Sequence, residues 1–214
     1  MKVRTDSRSI AILAVFAAMV LALEILPVPF LTDLPLFGGF TLDPTGIPIV
    51  IVFLGLGIAY SLILIPIMWI SIAYRNFVGS VFKGFAEFYT LLGLIVAKLI
   101  LRKRAYDWKT AAPVYIGLGV LFRALGMLIT NIFLIQFFWG GTLESAIAGS
   151  IAFVAPNIIQ ALINTLLGIM VFIVIPENLA IQARLGKFGS DEYKNYEEIS
   201  VEELEVADDE QQTD

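Results

Sequence analysis

Seven polar residues stand inside stretches otherwise apolar enough to lie in a lipid bilayer: Lys83, Glu87, Arg123, Asn131, Asn157, Gln160 and Asn164. The stretch LFRALGMLITNIFL (121–134) carries two of them, Arg123 and Asn131. A charged or amide side chain at membrane depth costs free energy unless a partner or a wet cavity receives it. Such residues therefore mark a functional site by default. Lys83 and Glu87 are four residues apart, share a helix face and can pair. The chemistry on offer is hydrogen bonding and charge complementarity toward a polar small molecule. The chain has no histidine and no cysteine. That removes disulfides, zinc or haem held by His or Cys, and Ser-His-Asp or Cys-His catalysis. Carboxylate, Lys and Tyr chemistry remains. An intramembrane enzyme using Glu87 and Lys83 as an acid–base pair, and a ligand-free structural subunit in which Glu87 and Arg123 neutralise each other, both stay open as alternatives.

The elements that must position these residues follow from composition. Of 214 residues, 58% are hydrophobic and 15% charged, with mean hydropathy +0.86. A soluble domain cannot hide that much apolar surface. Long continuous apolar runs, rather than short alternating ones, point to helices instead of a barrel. A crossing helix needs about 20 apolar residues. The expected fold is an all-α integral membrane protein with six transmembrane helices at about 9–26, two within 44–76, 78–101, 112–136 and 147–176. The pair within 44–76 breaks near Gly55-Leu-Gly57 and Tyr60-Ser61, and one long tilted helix is the competing reading there. Glu24 and Pro27 end the first run without a cleavage signal, so it reads as a retained helix rather than a signal peptide.

Charge selects six spans. Lys and Arg collect on the cytoplasmic side. Six spans place Lys2, Arg4, Arg8, Lys98, Arg102, Lys103, Arg104, Lys109, Arg184, Lys187 and Lys194 there, 11 of the 14 basic residues. Only Arg75 falls outside. Both termini are then cytoplasmic in a multi-pass protein of the cell membrane. The net charge of −5 conceals a division: residues 190–214 hold 11 of the 19 acidic residues. The expected organisation is a membrane domain over 1–178 and a cytoplasmic, acidic, disordered tail over 179–214.

At 1.5 Å per residue, Lys83, Glu87, Asn131, Asn157 and Gln160 lie roughly 8–15 Å below the outer surface, and Arg123 and Asn164 about 20 Å. Three helices thus bring polar groups into one half of the membrane, while the inner halves carry almost none. The outer loop PVPFLTDLPLFGGFTLD (27–43) is too apolar for a plain solvated loop and folds back over something. Its Phe30, Phe37 and Phe40 suit an aromatic ring. The first helix spaces Ala14, Ala18 and Ala22 four apart, with Ala11 on nearly the same face, which admits close approach of another helix. There is no phosphate-binding glycine loop of the form G-x-x-x-x-G-K-[ST], so this chain is not an ATPase of that type. A secondary transporter is disfavoured, since paired halves are not visible.

These features together resemble the S-components of energy-coupling factor (ECF) transporters, six-helix membrane proteins that bind a vitamin or micronutrient on the outer side. The resemblance covers residues 9–178. It rests on the Ala14-x-x-x-Ala18-x-x-x-Ala22 stripe, FTLDPTGIPIVIV (40–52), YRNFVGSVFKGFAEF (74–88), RALGMLITNIF (123–133) and APNIIQALINTLLG (155–168). Riboflavin-binding members are the most similar. Asn157 matches the Asn of their Pro-Phe-Asn-x-x-Lys segment, Gln160 stands where they have Lys, and Glu87 where they tend to have Asn. The resemblance implies a substrate-binding subunit with no cofactor and no catalysis. Substrate would meet Lys83, Glu87, Arg123, Asn131, Asn157, Gln160 and Asn164, with Phe37 and Phe40 covering it. Ala14, Ala18 and Ala22 would dock a transmembrane coupling subunit that carries two cytoplasmic ATPase subunits.

Overall fold

The computed structural model describes residues 7–25, 34–35, 41–101, 107–183, 185–186 and 188. Phe30, Phe37, Phe40, the basic cluster 102–104 and the acidic stretch 190–214 lie outside the described residues. The elements run α1 (Ser7–Ile25), β1 (Leu34–Pro35), β2 (Thr41–Leu42), α2 (Gly46–Gly55), α3 (Ile58–Ala73), α4 (Phe77–Leu101), α5 (Trp108–Trp139), α6 (Leu143–Ala152), α7 (Val154–Val174) and α8 (Glu177–Gln182). Apart from one two-residue antiparallel ladder, Leu34 opposite Leu42 and Pro35 opposite Thr41, these elements are helical. The ladder brings Leu34–Pro35 back alongside Thr41–Leu42.

Four helical runs are long and apolar enough to cross a membrane: Ser7–Ile25, Phe77–Leu101, Trp108–Trp139 and Leu143–Val174. The α2 and α3 helices are shorter, at 10 and 16 residues. Their break falls where the glycines predict it. Gly57 has φ +97°, a conformation that L side chains rarely adopt, and both Leu56 and Gly57 direct their N–H groups to the Val52 carbonyl. The α2 helix is short yet central. Ile49, Val50, Ile51, Val52 and Phe53 are all buried, because α1, α3, α4 and α7 each pack against it.

Two boundaries differ from expectation. The run expected as a helix over 112–136 is helical over 108–139. Asp107 caps it, accepting from the Lys109 N–H at 3.2 Å and the Thr110 hydroxyl at 2.7 Å. Polar residues at its start hid that first turn from an apolar count. The run expected over 147–176 is two helices, α6 and α7, turning at Phe153. Pro156 lacks the N–H that would bond the Ala152 carbonyl, and its ring crowds that carbonyl, so the helix bends here.

The α5 helix shows how the bundle faces its surroundings. Leu121, Leu125, Ile129, Phe133 and Phe137 are exposed in a stripe, while Tyr115, Gly119, Arg123, Met127 and Asn131 are buried on the opposite side. Apolar outside and polar inside is the arrangement lipid requires. At Gly93 the α4 and α5 backbones approach so closely that a Cβ would collide with the Leu118 carbonyl and the Gly119 Cα. Beyond α7, the Gly186 N–H donates to the Gly55 carbonyl at 2.9 Å and Phe188 packs edge-on against Phe172.

Candidate functional site

Polar side chains from α1, α4, α5 and α7, with the segment entering α2, converge in one half of the bundle. The α7 helix supplies four of them, Asn157, Gln160, Asn164 and Thr165, because its buried stripe, Asn157, Gln160, Ala161, Asn164, Thr165 and Gly168, recurs at three- and four-residue spacing. That places three carboxamides on one face, inside the protein.

Arg123 is the hub. It is 3% exposed. Its Nη1 donates to Glu87 Oε1 at 2.6 Å and to Thr90 Oγ1 at 3.3 Å, and its Nε donates to Asn157 Oδ1 at 3.2 Å. The Asn157 Nδ2 donates back to the Phe153 carbonyl at 2.8 Å, which ties the amide to the bend between α6 and α7. Thr90 donates to the Ala86 carbonyl at 3.0 Å. A buried ion pair held by this many hydrogen bonds keeps its two charges tolerable at depth.

Lys83 does not pair with Glu87. It sits one turn nearer the helix end and lies between Glu24 of α1 and Asp43, whose Oδ1 is 2.8 Å from the ammonium. Glu24 also meets Arg75 at 3.3 Å. Sharing a helix face was not enough, because each residue finds a partner on another element. Asp43 further accepts from the Thr45 hydroxyl and, at 3.0 Å, from its N–H. Gln160 then holds the Asp43 main chain from both sides. Its Nε2 donates to the Asp43 carbonyl, and its Oε1 accepts from the Asp43 N–H at 3.3 Å.

Asn164 and Asn131 complete the set differently. Asn164 is fully buried, yet neither its Oδ1 nor its Nδ2 has a hydrogen-bond partner among the described residues, and the same holds for Asn131 Oδ1 and Thr165 Oγ1. A Cβ on Gly46, at the start of α2, would fall against the Asn164 amide and 2.8 Å from Glu87 Oε2. Only glycine lets the α2 backbone come this close to the Asn164 amide and the Glu87 carboxylate. Thr165 faces Gly119, where a Cβ would lie 3.4 Å from its hydroxyl.

Of the residues singled out in the sequence, Glu87, Arg123, Asn157, Gln160 and Asn164 come together, and Lys83 borders them through Asp43. Asn131 lies two turns further along α5 on the same buried face. Glu24, Asp43, Arg75 and Thr90 were missed. Glu24 had a signal: it follows Val20 by four residues, on the packed face of α1. Asp43 had none, since a loop Asp before a Pro is ordinarily solvated. Ala11, Ala14, Ala18 and Ala22 are all exposed on α1, opposite its packed face of Ser9, Val20 and Glu24. Among the described residues there is no His, Cys, Asp and Glu group that could hold a metal ion. No family model, no curated protein and no solved structure matches this chain.

Proposed function

We propose that this chain is the substrate-binding membrane subunit of an ECF-type importer. It lies in the cell membrane as six spans with both termini cytoplasmic. It captures a vitamin-like molecule, with riboflavin the first candidate, from the outer side. Delivery runs through a transmembrane coupling subunit and two cytoplasmic ATPase subunits. The observation that carries this reading is the convergence of buried polar side chains in one half of an otherwise apolar bundle, with hydrogen-bonding capacity left over at Asn164 and Asn131. A bundle held together only by polar contacts has no use for open amides, because each unsatisfied buried group costs roughly 1–3 kcal/mol. The outward-facing alanine stripe of α1 supports the docking role, since small residues let a partner helix approach.

A second reading is favoured by one observation: Glu87 and Arg123 satisfy each other. In that reading the cluster is structural and the chain is an assembly subunit without a ligand. An intramembrane enzyme draws no support, as Lys83 and Glu87 are held by separate partners.

The deciding experiment is an absorption spectrum of the protein purified in mild detergent, with mass spectrometry of what it releases on denaturation. Near one equivalent of a small molecule, yellow if a flavin, is expected. A protein that carries nothing, and gains no thermal stability from a vitamin panel, establishes the assembly reading instead.

A further inference from the structure

The α2 and α7 helices run side by side in the same direction and meet at three levels. Where α2 begins, Gly46 lies against the Asn164 amide. Halfway along, Val50 sits on Gly168, where an added Cβ would come within 2.7 Å of the valine side chain. Where α2 ends, an added Cβ on Gly55 would lie 3.3 Å from the Phe172 ring. Asn164, Gly168 and Phe172 follow one another at four-residue spacing, a single line down α7.

Each end of α2 is fastened by a different part of the chain. At its start, Gln160 holds the Asp43 N–H and carbonyl, and Lys83 holds the Asp43 carboxylate at 2.8 Å. At its far end the chain leaving α8 returns. The Leu185 N–H donates to the Ala180 carbonyl at 2.9 Å, which turns the backbone sharply after α8. Leu185 then packs on Gly55, where an added Cβ would lie 2.9 Å from its Cδ2. The Gly186 N–H donates to the Gly55 carbonyl at 2.9 Å, and Phe188 meets Phe172 edge-on with ring centroids 5.6 Å apart. A helix leaves its last carbonyls without partners of its own, and Gly186 supplies one. The α3 helix does not hold this end in the same way, because Gly57, at φ +97°, interrupts the helical ladder between α2 and α3.

A helix of 10 residues is about 15 Å long and moves as a stiff rod. This one is seated near its middle and fastened at both ends. Freeing one end lets such a rod turn about its seat, which shifts the other end in the opposite sense. We infer that α2 is a lever on α7 with Val50 on Gly168 as its fulcrum, and that Leu185, Gly186 and Phe188 form a strap on its far arm that sets how Asp43 and Gly46 sit against the polar cluster. The strap thus acts on the cluster from the opposite end of the bundle. This device goes beyond the substrate-binding reading and does not depend on it.

The test is hydrogen exchange, resolved by residue, on the full chain in mild detergent without ligand. Protection is taken relative to the intrinsic rate at the same pH. Leu185→Ser/Phe188→Ser frees the far arm. The Asp43 and Thr45 N–H groups, which bond to Gln160 and to the Asp43 carboxylate, should lose protection at least fivefold, while amides in the middle of α4 and α5 keep theirs. Loss confined to Gly186 and its neighbours, with Asp43 and Thr45 unchanged, overturns the inference. Coupling between two sites is reciprocal, so the second variant works from the other end. Gln160→Leu frees the near arm, and the Gly186 N–H should then lose protection at least fivefold. Unchanged protection at Gly186 overturns the inference. If the first variant loosens α4 and α5 as well, the second decides alone.

Discussion

Arg123 and Glu87 form the most consequential single contact in the bundle. Each is nearly inaccessible, and removing one leaves the other as an uncompensated buried charge. Arg123→Met or Glu87→Met should each destabilise by about 3–5 kcal/mol, read as a drop in melting temperature on the order of 10 °C for a chain of this size. The double variant Glu87→Met/Arg123→Met should recover most of that loss, because no charge remains unpaired. A double variant as unstable as the worse single one would show that Thr90 and Asn157 need the guanidinium themselves. Lys83→Met should behave differently. It leaves Asp43 and Glu24 without their shared cation, but Glu24 keeps Arg75, so the expected loss is smaller than for Arg123→Met. These partnerships were only half legible in advance. The residue types at membrane depth announced themselves, while the choice of partner did not. The i,i+4 rule joins Lys83 to Glu87 on an isolated helix, and a packed bundle offers closer opposite charges from other helices.

Helix ends and crossings carry the next set of consequences. Gly93 permits a close approach of the α4 and α5 backbones, and these two helices position Glu87 and Arg123. Gly93→Leu should drive the backbones apart and cost at least ~2 kcal/mol. It should also weaken ligand binding, since the ion pair and the α7 amides lose their register. On α1, the outward alanines should tolerate bulk in the isolated protein. Ala14→Trp or Ala18→Trp is expected to leave its melting temperature and ligand binding unchanged and to abolish co-purification with a coupling subunit. Normal co-purification of both variants removes the docking role from that face. At the start of α5, the Thr110 hydroxyl and the Lys109 N–H on Asp107 hold its carboxyl below the usual carboxylate range. A lowered folded-state pKa stabilises above the unfolded value and is lost as pH falls through the folded one. Amide protection in the first turn of α5, taken as the exchange rate relative to the intrinsic rate at the same pH, should therefore persist through the ordinary carboxylate range and fall only below it. Asp107→Ala should lower that protection and remove its dependence on the carboxylate's titration. The Gly57 break was visible from composition. The bend at Phe153 was there to be read from Pro156, but continuous hydropathy across 147–176 concealed it.

The whole molecule turns a membrane protein's usual accounting inward: apolar side chains face outward and the charges neutralise one another inside. The proposed topology, six spans with cytoplasmic termini, makes a direct prediction. The chain lacks cysteine, so single cysteines report topology without background. Thr142→Cys, between α5 and α6, should react with an impermeant thiol reagent added outside intact cells. Lys109→Cys, at the opposite end of α5, should react only after the membrane is opened. The reverse pattern would invert the orientation and place the polar half on the cytoplasmic side, which is incompatible with capture from outside.

Hydropathy was sufficient to make this chain a helical bundle with a polar half, because apolar length and the depth of each polar residue are properties of one helix at a time. The break at Gly57 belongs in the same class, being local backbone chemistry. Pairing does not. Whether Arg123 meets Glu87, whether Lys83 turns to Glu24 and Asp43, and whether Gln160 grips a main chain while Asn164 is left open depend on which helices stand side by side. The contacts between residues far apart in the chain settled each of those choices, through distances and desolvation that no single segment encodes.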